Sequence, residues 1–180
     1  WAGRTARIHR CLECEHVWFG PLPTHAELDA YYRSNDFYES SPWTPEQFQA
    51  AWSPIPLQAQ ADYLEATLRH LRACGGPSGP RVFDFACGFG GFMLALRDHG
   101  VASTGCDMDE TCVASCRALG LDVVQGGVDA LSGQVDLDWI SCYHSIEHFR
   151  DPLSFLGAAA RSLTPGGHLS LAFPNGGSLP

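Results

Sequence analysis

The sequence predicts an α/β fold: a doubly wound, mostly parallel sheet with strands in the order 3-2-1-4-5, preceded by a helical N-terminal segment. Three observations carry this. Residues 81–91 read Arg-Val-Phe-Asp-Phe-Ala-Cys-Gly-Phe-Gly-Gly, a short apolar strand running into a glycine turn, and Phe92, Met93 and Leu96 then follow at helical spacing. Strand and helix patterns alternate from there on, which means parallel strands joined by right-handed crossovers. The second strand ends in an acidic residue, Asp107, 19 residues after Gly88, where such folds hold a ribose by its hydroxyls.

Composition narrows the function classes. The 180 residues are 45% hydrophobic and 17% charged, enough for one core and a small appendage. A net charge of −9 disfavours a nucleic-acid surface. No uncharged apolar stretch reaches the roughly 18 residues of a membrane span, and the start, Trp-Ala-Gly-Arg-Thr-Ala-Arg, lacks the apolar run of a signal peptide. Cys87, Cys106 and Cys142 fall near strand ends and Cys112 and Cys116 on a helix, so the cysteines read as buried free thiols in a reducing cytoplasm. The start at Trp1 and the Gly-Gly-Ser-Leu-Pro tail suggest a piece of a longer protein. Oligomeric state is not legible.

Taken in order, the chain divides into residues 1–23, 24–80 and 81–180. In the first part Cys11 and Cys14 form a Cys-x-x-Cys knuckle, half of a tetrahedral zinc site. His9 and His16 are nearby, but His16 is too close to Cys14 to share one metal easily, and two incidental thiols is the other reading. Thr24-x-x-Glu27 is a capping box that opens a helix through Leu28 and Tyr31. Tyr31, Tyr32, Phe37, Tyr38 and Trp43 then make an aromatic, polar stretch. Thr44-Pro45-Glu46-Gln47 is a second capping box with proline at the first helical position, and that helix stops before Pro54. A longer helix from Leu57 to about Leu71 sets Leu57, Ala61, Leu64, Leu68 and Leu71 on one face. The run 74–80 is a breaker-rich linker.

The α/β unit follows. Strands are expected at 81–86, 101–106, 121–125, 137–143 and 168–173, with Pro165-Gly166-Gly167 as the turn before the last. Helices are expected at 90–99, at 109–119 with Val113, Cys116 and Leu119 facing in, and from Asp151-Pro152 with Leu153, Leu156, Ala160 and Leu163 on the core face. Ligands in such sheets bind beyond the carboxyl ends of the strands where the order reverses, here strands one and four. Asp84, a carboxylate inside an apolar strand, calls for a ligand with a positive group. Asp107 is the ribose candidate; its other reading is the N-cap of the next helix, a place that Asp109 can take. Met108 can cover an adenine, and Gly127 and Val128 are expected at the adenine edge.

Asp84 to Gly91 resembles the first motif of the class I S-adenosylmethionine-dependent methyltransferases, hydrophobic-hydrophobic-Asp-x-Gly-x-Gly-x-Gly, with Ala86 in place of the first glycine. Asp138 to His148, Asp151-Pro152, Pro165-Gly166-Gly167 and Pro174-Asn175 are similar to its later motifs, most of all in the branch of quinone-biosynthesis O-methyltransferases. The resemblance covers 82–175. It implies a Rossmann-like fold with two further strands beyond this chain, leaving strand five as an edge. It also implies S-adenosylmethionine as cofactor and a small-molecule methyl acceptor, a hydroxyl oxygen in that branch. The cofactor would be held by Asp84, Ala86, Cys87, Gly88, Gly90, Asp107, Met108, Gly127, Val128 and Tyr143, with Ala86 giving a tighter fit. Some members carry an N-terminal zinc ribbon whose second knuckle, Pro-x-Pro and tyrosine pair match Cys11, Cys14, Pro21, Pro23 and Tyr31-Tyr32; its first knuckle would precede Trp1. The resemblance also implies that the aromatic stretch 31–43 approaches the cofactor pocket; equally, it reads as a surface loop pinned by its aromatics. Other members bind a divalent metal through Glu-x-x-Glu-His. His144 replaces the first Glu here, so His144, Glu147 and His148 offer a metal set or, equally, a packing corner.

For a hydroxyl acceptor a base must take the proton. His144, at the mouth of strand four, is best placed, with His148 as the second catalytic candidate. Asp84 would hold the glycine turn or the cofactor's ammonium end. His168, at the opposite end of the sheet, is set aside. His-x-x-Glu-His also spells an inverted zinc-peptidase signature, but that reading needs a long helix, and Asp151-Pro152 comes too soon. A nicotinamide-binding fold is disfavoured, since neither register of Gly-x-Gly-x-x-Gly fits: glycine is missing at Met93 or at Ala86. The non-enzymatic alternative is a methyltransferase-like scaffold.

Overall fold

The computed structural model describes residues 7–34, 44–50, 58–73 and 79–175. The expectations for Phe37, Tyr38, Trp43, Leu57 and the linker at 74–78 lie outside these residues. Two short strands, β1 (Arg7–Arg10) and β2 (Val17–Gly20), pair as an antiparallel hairpin. Its tip is closed by Cys11 N donating to His16 O at 2.8 Å and Glu15 N donating to Cys11 O at 3.1 Å. Helix α1 (His25–Arg33) begins at the expected capping box: Glu27 N donates to Thr24 Oγ1, and Thr24 N donates to Glu27 Oε2. Helix α2 (Pro45–Ala50) has the second box, with Thr44 and Gln47 as its reciprocal pair. Helix α3 (Gln58–Ala73) lays Leu71, and partly Leu64 and Leu68, against Val82, Phe92, Leu96 and Trp139.

Five parallel strands follow: β3 (Val82–Phe85), β4 (Ser103–Asp107), β5 (Asp122–Gln125), β6 (Leu137–Tyr143) and β7 (Leu163–Ala172), in the order β5-β4-β3-β6-β7. This is the predicted 3-2-1-4-5 order, with β7 as one edge of the described sheet. Helices α4 (Gly91–Asp98), α5 (Glu110–Ala118) and α6 (Pro152–Ser162) make the crossovers. Asp138 and Arg81 align β6 with β3: each backbone N–H finds the other residue, Arg81 N the Asp138 carboxylate at 2.8 Å and Asp138 N the Arg81 carbonyl at 2.9 Å. Alternation along β3 sends Phe83 and Phe85 into the cluster with Phe155 and Ala159, and Val82 into the one beneath α3 and α4.

Three expectations change. The last strand starts at Leu163 rather than 168. Leu137 faces Leu163 and Trp139 faces His168, so Pro165-Gly166-Gly167 is a large bulge inside β7, with Gly166 at φ +89°. The core face of α6 is Phe155, Ala159 and Ser162, flanked by Leu156 and Leu163, while Ala160 is exposed and Leu153 is 76% exposed. Phe155 decides that face, because its ring meets Phe85 at 4.6 Å and Phe149 at 5.3 Å. Leu119 is not inward: it is the C-cap of α5 and is exposed, whereas Val113 and Cys116 are buried. The seven described cysteines are free thiols.

Candidate functional site

Beyond the carboxyl ends of β3 and β4 lies a cavity of about 400 Å³. Its floor is backbone chemistry. The chain leaves β3 through Ala86 at φ +56° and Gly88 at φ +54°, and Cys87 N donates to Cys106 O at 2.9 Å. Gly88 N then donates to Asp107 Oδ2 at 2.8 Å, and Asp109 N to Asp107 Oδ1 at 2.9 Å. One carboxylate at the end of β4 thus ties the glycine turn to the start of α5. Asp107 is 8% exposed, and burial raises its pKa against the opposing pull of these N–H donors.

Ala86 explains itself in these terms. A left-handed residue carrying a Cβ is strained, which is why glycine suits that position. Gly90 is needed for a different reason than ligand approach. It sits at φ +77°, and a Cβ there would lie 2.5 Å from Leu121 Cδ1 and 2.9 Å from Cys116 Sγ, so it lets the turn pack on α5.

Of the expected cofactor residues, Ala86, Asp107, Met108, Gly127 and Val128 line the cavity. Asp84, Cys87, Gly88, Gly90 and Tyr143 do not. Asp84 is 4% exposed and accepts from Ser141 Oγ at 2.6 Å; loss of water lifts its pKa to about 7. The glycine turn is held by Asp107, not by Asp84. Tyr143 packs between Tyr63, at 5.0 Å, and Phe92, at 5.1 Å, and donates to Ser170 Oγ at 3.0 Å. Cys87 is half-buried beside Cys116, whose thiol, with loss of water, drives its pKa well up.

His144 and His148 both reach the cavity. His144 has φ +53°, and its N–H donates to Ala172 O at 2.7 Å. Strain of this kind, on a residue that is not glycine, persists where neighbours over-determine it. His148 meets the ring of Tyr32 at 5.9 Å. Glu147 is exposed in the short helical turn Ile146–His148. Among the described residues no group of three or more His, Cys, Asp or Glu side chains could hold a metal ion, which applies to His144, Glu147 and His148 as to the hairpin. At the hairpin the backbone N–H groups of Cys14 and Glu13 hold the Cys11 thiol below its ordinary pKa. Two sulfurs suit zinc but leave a tetrahedral ion two ligands short.

The wall opposite the sheet was foreseen only in part: the resemblance brings the stretch from Tyr31 toward the pocket, and Tyr32 lines it, but the rest of the helix was not expected there. It is α1, through His25, Leu28, Asp29, Tyr32 and Arg33, a stripe at i, i+3, i+4, i+7 and i+8. Its mixed polar and apolar content reads as a solvated helix, and no α1 residue is fully buried. Arg150, also in the lining, donates from its guanidinium to Pro23 O and so holds the chain just before α1. Tyr32 is desolvated enough to lift its phenol pKa to about 12. Asp109 and Asp129 were also missed as lining residues, although Asp109 was expected at the cap it occupies, accepting from Cys112 N at 3.0 Å. Its second oxygen, Oδ2, is buried with no hydrogen-bond partner.

Comparison with known proteins fits this geometry. The chain is 35% identical over 111 residues to the ubiquinone biosynthesis O-methyltransferase of Alkalilimnicola ehrlichii, covering 57% of this chain and 45% of that one. It is 31% identical over 113 residues to the enzyme of that name from Pseudomonas aeruginosa, covering 56% and 47%. The chain thus spans about half the length of the curated relatives it matches. A SAM-dependent methyltransferase structure from Archaeoglobus fulgidus superposes with a TM-score of 0.60 at 22% identity, over 81% of this chain and 60% of that one, which speaks for the fold alone. No helix among the described residues is long and apolar enough to cross a membrane. The family model described as a methyltransferase domain matches residues 57–178, more than half of the sequence, and the chain belongs to that family.

Proposed function

We propose that the protein is an S-adenosylmethionine-dependent methyltransferase acting on a hydroxyl oxygen of a small-molecule acceptor. The observation that carries this is the Asp107 carboxylate on the cavity floor, tied to the glycine turn and open to the cavity. The residues fit the cofactor. Both Asp107 oxygens keep lone pairs for ribose hydroxyls after accepting their backbone N–H groups. Asp109 Oδ2, buried without a partner, supplies a further acceptor at the same wall. Met108, Gly127 and Val128 offer an apolar slot for the base, and the aspartates along the floor suit a cationic ligand.

When bound, the cofactor supplies an electrophilic methyl group on a sulfonium. The protein's part is to orient, to exclude water and to manage one proton. His144 takes the proton of the acceptor hydroxyl at a ring nitrogen, its backbone held to Ala172. α1 covers the cavity opposite the sheet and limits water. Asp84 lies behind the floor, where it accepts from Ser141. The names of the curated relatives support oxygen as the methylated atom, and the free thiols suit the cytoplasm.

The test is calorimetric titration of the purified protein with S-adenosylhomocysteine. Micromolar binding is expected, weakened by Asp107→Ala by about 3 kcal/mol, or roughly 100-fold. A folded protein that does not bind would leave the non-enzymatic scaffold as the better reading.

A further inference from the structure

Tyr143 ends β6 and His144 follows it, and strand geometry would send their side chains apart. Successive residues of a strand point to opposite faces of the sheet. Trp139 and Tyr143 lie on the face that carries α3 and α4, while Ile140 and Cys142 lie on the other, with Phe155. Continued alternation would put His144 on the Phe155 side. The φ of +53° at His144 breaks that alternation. Its imidazole instead comes within 6.5 Å of the Tyr63 ring on α3, centroid to centroid, with the planes at 52°. Tyr63 also stacks on Tyr143, at 5.0 Å and 25°. One ring of α3 thus meets two consecutive side chains at the carboxyl end of β6.

A left-handed backbone on a residue with a Cβ is costly, and it persists only where neighbours over-determine it. The backbone neighbour is Ala172, whose carbonyl accepts from His144 N at 2.7 Å. That bond fixes the peptide and leaves the side chain its choice of rotamer. The side chain is exposed, so close packing does not make the choice. Tyr63 can make it, because Tyr63 is itself held. The Tyr143 ring beneath it is met edge-on by Phe92 at 5.1 Å, and the Tyr143 hydroxyl donates to Ser170 Oγ at 3.0 Å. One turn along α3, the fully buried Thr67 donates to the Tyr63 carbonyl at 2.8 Å. A general base must face its substrate within hydrogen-bond reach, and that precision comes from the neighbours that lock its rotamer.

We propose that Tyr63 is the positioning residue of His144: its ring, wedged on Tyr143, selects the rotamer that keeps the imidazole at the cavity. This rests on the methyl-transfer reading, in which His144 takes the proton of the acceptor. The test reads His144 itself and needs no acceptor. In isotope-labelled protein the imidazole signal of His144 is identified by its loss in His144→Gln, and a nuclear Overhauser contact with the Tyr63 ring is expected in the wild type. The rate at which diethyl pyrocarbonate modifies His144 is then followed by peptide mass. Tyr63→Phe keeps the ring and is expected to match the wild type. Tyr63→Leu keeps an apolar helix former but no ring, and should change the rate about fivefold, the equivalent of one aromatic contact. Saturating S-adenosylhomocysteine should slow modification in the wild type and in Tyr63→Phe, and lose that protection in Tyr63→Leu. A wild type without the Overhauser contact overturns the proposal. So does a folded Tyr63→Leu that reacts at the wild-type rate, or a Tyr63→Phe that behaves as Tyr63→Leu does. If Tyr63→Leu does not fold, the Overhauser contact and Tyr63→Phe decide. S-adenosylhomocysteine that fails to bind any folded variant would overturn the methyl-transfer reading instead, while the unliganded rates still report whether Tyr63 orients His144.

Discussion

The two walls of the cavity are built by different physics. The floor, at the ends of β3 and β4, is a lattice of backbone hydrogen bonds closed by one carboxylate, over a core in which Phe83, Met93 and Cys106 are at most 1% exposed. The opposite wall is a nine-residue helix with no buried residue, held by its own capping box, by Arg150 at Pro23 and by Tyr32 against His148. The floor cannot change without disturbing the fold, so it suits a fixed ligand. The α1 wall can change its side chains at little cost to stability.

That contrast can be broken most sharply at Asp84, behind the floor. Its pKa in the folded protein, about 7, lies above the ordinary 3.8. The folded state therefore binds its proton more tightly than the unfolded chain between those values, and stability falls as pH rises from about 4 to 7. For a shift of this size the loss is about 4 kcal/mol at most. Asp84→Asn should remove that part of the slope, as read from urea unfolding across pH 4–8. An unaltered slope would mean that the floor does not bury a strained carboxylate.

A smaller effect is expected at Ala86. Replacing it with glycine relieves a Cβ held at φ +56°, and should stabilise the fold by about 1 kcal/mol after glycine's own entropy cost is subtracted. Thermal unfolding measures it. A destabilised Ala86→Gly would show that the alanine methyl packs well enough to outweigh its strain.

The α1 wall should give a local answer only. Thr24→Ala removes a capping box worth about 1 kcal/mol to the helix, in a segment that adds little to the global core. Hydrogen exchange should rise within 25–33 while the amides of β3, β4 and β6 keep their protection. Equal loosening of the sheet would show that the two walls fold as one unit and would undo the distinction.

Much of the floor was legible beforehand. The strand order, Asp107 at the end of β4, the Asp109 and Asp151 caps and both capping boxes follow from local pattern: apolar runs, glycine turns and cap residues act within a few neighbours of one another. Two details within reach of pattern went astray. On α6 the spacing of Leu153, Leu156, Ala160 and Leu163 was as regular as that of Phe155, Ala159 and Ser162, and only the position of Phe85 and Phe149 chose between them. In β7 the Pro-Gly-Gly run reads as a strand boundary, yet Leu163, before that run, already pairs with Leu137, and pairing resumes after it at Trp139 and His168.

What the sequence by itself determined was the α/β sheet, its topology and the residue types at the cavity ends of β3 and β4, because periodicity and turn chemistry are properties of short stretches. Only the tertiary structure decided that Asp84 bonds to Ser141, 57 residues away, and that Asp107 takes the glycine turn. It alone decided that α1 closes the cavity, and that Arg33 faces it. Those contacts join segments far apart in the chain, and a side chain's partner across such a distance depends on how whole elements pack, which no local pattern encodes.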